Sequence, residues 1–123
     1  EYQSFYQHGD YCLNNLLVDK NHIHVIDFED FGMTAMPLHD EFSLALSFYS
    51  RTPSHLPVTL NGELSACVKK SLERKNIEIQ DAPALFLHHL LLRLGDWSAG
   101  ERRSQYRQWL LSTLDKFVAN PII

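Results

Sequence analysis

Two short β-rich runs near the start of the chain give way to helical periods over the remainder. Asn15 to Val18 and Ile23 to Ile26 carry branched aliphatic residues and flank the polar run Asp19-Lys20-Asn21-His22. Two such runs around polar turn residues predict a β-hairpin. Tyr2 to Gln7 reads as the tail of a helix or an extended lead-in. Phe28 to Pro37, with Gly32 and Pro37, reads as an irregular loop.

From Asp40 onward the apolar spacing is that of helices. Asp40 is placed to cap a helix running to about Tyr49, with Phe42, Ala45, Leu46 and Tyr49 on one face. Arg51 to Pro57, with Pro53 and Pro57, is a connector. A second helix, from about Asn61 to Lys75, aligns Leu64, Val68 and Leu72 opposite Lys69, Lys70, Glu73 and Arg74. Asp81 followed by Pro83 is a helix start, because proline sits without cost in a first turn. That helix, to about Leu94, is apolar nearly all round and predicts a central position, with Gly95 ending it. Ser98-Ala99-Gly100-Glu101 has the form of a capping box. The last helix puts Tyr106, Trp109, Leu110, Leu114 and Phe117 on its core stripe.

Composition narrows the class. With 45% hydrophobic and 21% charged residues, the 123-residue chain can build a core and has the make-up of a globular domain or part of one. A net charge of -4 gives no electrostatic support for general nucleic-acid binding. Cys12 and Cys67 lie far apart and form no metal-like or redox-like pair, which suits free thiols in a reducing, cytoplasmic setting. The longest apolar run, Ala84 to Leu94, is broken by His88, His89 and Arg93 and is too short to span a bilayer, so no membrane partner is expected. The chain opens at Glu1, a short distance before its most informative motif, and reads as a piece of a longer protein.

Residues 8–30 carry the chemistry. Asp10, Asn15 and Asp27 surround the predicted hairpin, the arrangement with which kinases hold an acceptor hydroxyl and the magnesium of ATP. A carboxylate beside the hydroxyl takes its proton late in phosphoryl transfer, the role assigned to Asp10. Magnesium wants hard oxygen ligands, which Asn15 and Asp27 offer. Asn15 opens the first strand and Asp27 follows the second, so antiparallel pairing returns both to one end. Asn14 competes with Asn15, and the spacing from Asp10 favours Asn15. His22 and His24 alternate along a strand without a third ligand nearby, which disfavours a metal pair. His88 and His89 read as interior or edge histidines, and Trp97 and Trp109 as core anchors.

His8-Gly9-Asp10, then Asn15, then Ile26-Asp27-Phe28-Glu29-Asp30, with Pro37-Leu38-His39-Asp40 behind, resembles the aminoglycoside phosphotransferase and choline kinase-like superfamily, which shares the protein-kinase fold. The resemblance is specific over residues 8–40 and only generically helical beyond them. It implies an α+β, mostly α fold: a kinase-like C-terminal lobe of one small β-hairpin followed by about four helices. Residues 1–40 would hold the catalytic loop, hairpin and metal-binding loop, and 41–123 the helical subdomain, with the N-terminal lobe absent.

By this resemblance Asp10 matches the catalytic base, and Asn15 and Asp27 the metal ligands. His8 and Gly9 match the structural start of the catalytic loop. Asp40 matches an aspartate that braces this loop and caps the next helix. Glycine at position 9, where protein kinases have arginine, and Glu29, where their metal-binding motif has glycine, point to small-molecule kinases. Glu29 and Asp30 are within range of substrate or a second metal, with a solvated or backbone-bonded role equally open. The implied cofactors are Mg2+ and ATP, and the implied acceptor is a hydroxyl of a small molecule: an aminoglycoside, choline, homoserine or a sugar. Asp81, Asp96 and Glu101 could meet an amine on it, though each also suits a capping or surface role. The other implied partners are the missing N-terminal lobe, with its glycine-rich loop and lysine, and a second copy of the fragment through exposed apolar surface. The alternative reading is a kinase-like binding or regulatory module without turnover.

Overall fold

Asn15 is the last residue of a 3-10 turn, Leu13–Asn15, that delivers the chain into the hairpin. In the computed structural model, which describes residues 3–49, 62–97 and 104–121, β1 spans Leu16–Asp19 and β2 spans His22–Val25. They pair antiparallel from Leu16 opposite Val25 to Asp19 opposite His22, leaving only Lys20 and Asn21 as the loop. Lys20 takes the left-handed backbone (φ 49°) that tight reversal requires. Each strand is therefore shifted by one residue from the predicted run. Asn15 and Ile26 lie just outside the ladder, yet the Ile26 N–H still donates to the Asn15 carbonyl at 3.0 Å.

Residues 3–7 form no helix; Phe5 N–H instead donates to Ala35 O at 3.2 Å, and Gly32 N–H to Gln7 O at 3.0 Å. These bonds lay the lead-in along the irregular loop that follows β2.

Among the described residues four α-helices make up most of the rest, so the fold is α+β and mostly α. Helix α1 spans His39–Tyr49 and starts one residue before the predicted cap. Leu38, at φ 69°, turns the chain into it. Asp40 thus sits inside the first turn rather than at the cap. Its own N–H donates to the Gln7 side-chain oxygen at 3.0 Å, so the orphan donor is satisfied from the lead-in. Helix α2 spans Gly62–Arg74, and Lys75 just beyond it forms an ion pair with Glu41 on α1.

Helix α3, Ala82–Leu92, follows a 3-10 turn at Ile79–Asp81; Asp81 makes no side-chain capping bond. Gly95 does not end the helix. The chain continues as a π-helical turn, Arg93–Trp97, where the Arg93 N–H is shared between the His89 and Leu90 carbonyls. Helix α4 spans Ser104–Ala119. The predicted connector at 51–57 and the capping box at 98–101 lie outside the described residues, as do the side chains of Tyr49, Leu64, Asp96 and Trp97.

One buried cluster joins all four helices: Phe42 and Leu46 of α1, Val68 and Leu72 of α2, Phe86 and Leu90 of α3, Leu110 and Phe117 of α4. Phe86 is its hinge piece, with ring centroids 4.9 Å from Phe42 and 4.8 Å from Phe117. Each such side chain contributes about 1.5–3 kcal/mol by leaving water. The cluster fixes α1 and α3 side by side, so that α1 presents His39 and Asp40 to the loop at residues 8–10, with His89 of α3 behind His39. Of the predicted core stripe of α4, Leu110 and Phe117 are buried, whereas Tyr106, Trp109 and Leu114 are half-buried on the margin of the cluster. Among the described residues no helix is long and apolar enough to cross a membrane.

Candidate active site

Gly9 bends the loop. Its φ of 93° is a region side chains disfavour, and a Cβ there would lie 2.3 Å from the Asp30 carbonyl oxygen. Glycine is the residue that lets the loop pass against the chain after β2.

Asp40 holds the same loop from the other direction. Its Oδ2 accepts the His8 N–H at 2.6 Å and its Oδ1 accepts the Gly9 N–H at 3.1 Å. His8 completes the bend: its Nε2 lies 2.9 Å from the Ile26 carbonyl, tying the loop to the exit of β2. Since a carbonyl only accepts, Nε2 carries the hydrogen. That leaves Nδ1 to receive the Asp10 N–H at 3.3 Å.

Asp10, so placed, is buried beside Asn15. The Asn15 amide nitrogen donates to the Asp10 carbonyl at 2.9 Å and to its carboxylate Oδ2 at 3.2 Å. With both N–H directed at Asp10, the amide orientation is set, and its Oδ1 is left as a hard oxygen donor.

Asp27 follows Ile26, whose N–H bonds to Asn15, so it stands at the same open end of the hairpin. It is exposed and takes the left-handed backbone at φ 61°. Strain of this kind at a non-glycine residue gathers at functional sites. Its carboxylate makes no hydrogen bond among the described residues. The structure therefore bonds Asp10 to Asn15 directly, while Asp27 is linked to them only as the residue after Ile26, whose N–H donates to the Asn15 carbonyl. Asn15 and Asp27 present an amide oxygen and a carboxylate, a donor set that fits magnesium.

Glu29 is exposed and Asp30 half-buried, with the Asp30 backbone packed on Gly9. Asn14 is exposed at the outer side of the 3-10 turn. His22 and His24 are exposed on β2, their rings 6.4 Å apart. A cleft of about 390 Å³ opens beside the loop, bordered by Tyr6, His8, Tyr11, Phe28 and Asp40 and by none of Asp10, Asn15 or Asp27. Cys12, two residues past Asp10, is held as the neutral thiol: burial first, then the Asp10 charge, pushes it up.

Sequence reasoning missed the contacts from α3. Arg93, 3% exposed, places Nη1 3.1 Å from Asp10 Oδ1 in a buried ion pair. One turn earlier His89 reaches His39, Nδ1 to Nδ1 at 3.1 Å, and His39 Nε2 lies 3.0 Å from the Gly9 carbonyl. A lone arginine in an apolar helix was the available signal, because charges are almost never buried unless paired.

A family model described as the phosphotransferase enzyme family matches residues 2–64, which include every residue of the loop, the hairpin and Asp40. No curated protein and no solved structure gives a significant match to the chain.

Proposed function

The chain belongs to the phosphotransferase enzyme family, and on that premise we propose that it is the catalytic-lobe portion of an ATP-dependent enzyme that phosphorylates a hydroxyl of a small molecule. The observation that carries this reading is the buried Asp10 carboxylate, bonded to Asn15 at the mouth of a hairpin that also ends on Asp27.

Asp10 accepts the proton of the acceptor hydroxyl as the acceptor oxygen bonds to the γ-phosphorus of ATP. The bond from that phosphorus to the β–γ bridging oxygen breaks, and ADP leaves. Asn15 Oδ1 and the Asp27 carboxylate would hold Mg2+, which supplies positive charge against the phosphate oxygens. His8, Gly9 and Asp40 keep the loop bent so that Asp10 stays at the hairpin mouth. The glycine-rich loop and lysine that cradle phosphates in kinases are not in this sequence and would come from a further lobe of a longer, cytoplasmic protein. Exposed Tyr6, Phe28 and Phe31 offer apolar surface for that lobe or for a second copy.

The test is ATP consumption by the full-length protein against a panel of aminoglycosides, choline, homoserine and sugars. Asp10→Asn is expected to lower kcat by about a thousandfold or more, the scale of general-base and positioning effects combined. Undiminished turnover in that variant would remove Asp10 from the mechanism. Absence of any ATP-dependent product across a broad acceptor panel would favour a kinase-like module without turnover.

A further inference from the structure

We infer that Arg93 is a positioning residue for Asp10, so that the helical subdomain, through one buried guanidinium, sets the orientation of the base carboxylate. The inference rests on the reading of Asp10 given above.

An aspartate carboxylate is loosely defined about its last torsion, which has broad wells rather than sharp ones. A base that must meet a hydroxyl at one angle therefore needs both oxygens held. Here Oδ2 is held by Asn15, five residues away in sequence, and Oδ1 by Arg93, eighty-three residues away. The two donors come from different elements, the turn before β1 and the π-helical turn after α3, so together they fix the plane of the carboxylate.

Arg93 is itself fixed. It is buried, and its Nη2 lies 3.5 Å from the Tyr106 hydroxyl on α4. The π-helical turn begins at this residue, a distortion found often at functional sites. His89 lies four residues before Arg93, on the same helical face, and reaches the Gly9 carbonyl by way of His39. His89 of α3, acting through His39 of α1, and Arg93 of the π-helical turn thus bear on two adjacent points of the loop, the Gly9 peptide and the Asp10 side chain.

Each oxygen keeps further lone pairs after these bonds, so the carboxylate can still receive the acceptor hydroxyl. Lysine at position 93 would keep the charge and lose the planar fork that reaches Asp10 and Tyr106 together.

The experiment is a double-mutant cycle in the full-length protein with Arg93→Lys, Arg93→Gln, Asp10→Asn and the Asp10→Asn/Arg93→Gln pair. Thermal melting of each variant selects those that fold. Arg93→Lys is expected to lower kcat by about ten- to a hundredfold, the scale of a misplaced catalytic group, with KM for ATP unchanged. Arg93→Gln adds no further loss once Asp10 is already asparagine. Wild-type kcat in folded Arg93→Lys and Arg93→Gln, alongside an inactive Asp10→Asn, overturns the positioning role and leaves the base assignment standing. Full activity in Asp10→Asn overturns the base assignment, and the role of Arg93 with it. Multiplicative losses in the pair also overturn the inference, because they would show that Arg93 acts elsewhere.

Discussion

His39 and His89 share a single hydrogen between their Nδ1 atoms, which face each other at 3.1 Å with both rings 1% exposed. The Gly9 carbonyl accepts from His39 Nε2, so in the neutral ring His39 Nδ1 is the acceptor and His89 Nδ1 the donor. His89 Nε2 is left as a buried acceptor without a hydrogen-bond partner, in a ring packed against Phe42 and Phe86. An extra proton on the pair would place a cation among aromatic rings, with Arg93 nearby. Burial accordingly pushes both histidines down, His89 well below the ordinary 6.5; His39 and Arg93 push His89 further, while the Gly9 carbonyl and Asp40 partly restore His39.

The first expected outcome is acid sensitivity of the fold. Above pH 6.5 both imidazoles are neutral whether folded or not. As pH falls through 6.5 the unfolded chain takes up protons that the folded chain refuses, so stability is lost from there downward. The slope reaches about 1.4 kcal/mol per pH unit for each imidazole. Denaturant titrations at pH 7.5 and 5.5 check it, compared with His89→Asn, which can keep an N–H donor toward His39 and does not titrate. Equal acid losses in wild type and variant would show that His89 does not carry the effect.

What the sequence displayed was mostly what is close along the chain. The hairpin was legible because Lys20 and Asn21 sit between two aliphatic runs, and a two-residue loop then fixes the register. The contact between Asp10 and Asn15 was legible because the two lie five residues apart within one supersecondary unit. Arg93 was not: its bond to Asp10 spans eighty-three positions, and periodicity marked it only as an interruption of an apolar run. The helix past Gly95 was hidden for a related reason. Glycine favours a helix end, but here the chain runs through Gly95 as a π-helical turn whose first residue, Arg93, is paired with Asp10. At Asp40 the cap signal was read correctly as a helix start and wrongly as the capping group, because Gln7 reaches in from the lead-in.

Gly9→Ala is expected to disrupt the loop. The substitution adds a Cβ against the Asp30 carbonyl at a φ of 93°, where the Gly9 N–H is held by Asp40 and the Asp30 carbonyl by the Met33 N–H. Steric overlap of this kind and left-handed strain together cost about 2–4 kcal/mol. Denaturant unfolding measures it, and a loss below about 0.5 kcal/mol, the range of ordinary surface changes, would mean the loop can relax.

Asp40→Asn tests the brace with almost no change of shape. One carboxylate oxygen becomes an N–H2 facing either the His8 or the Gly9 N–H, so an accepting contact is replaced by two opposed donors. A lost charge-assisted bond of this kind costs about 1.5–3 kcal/mol. The expected signature is joint: lower stability, and a kcat reduced because Asp10 is the next residue along the loop. Stability unchanged within about 0.5 kcal/mol would show that Asp40 does not brace residues 8 and 9.

Asp27→Asn should separate chemistry from folding. The carboxylate is exposed and makes no hydrogen bond among the described residues, so its removal touches no packing. Asparagine tolerates the left-handed backbone found there as well as aspartate does. Stability is therefore expected to stay within about 0.5 kcal/mol of wild type. On the proposed assignment Mg2+ would lose a charged carboxylate ligand, however, and an amide oxygen would replace it weakly. The concentration of Mg2+ giving half-maximal turnover is expected to rise by at least about tenfold, on the scale by which disturbed ligand sets lose metal affinity. Turnover titrated against Mg2+ after chelation of bound metal reads this directly. An unchanged Mg2+ requirement would place the ion somewhere other than the hairpin mouth.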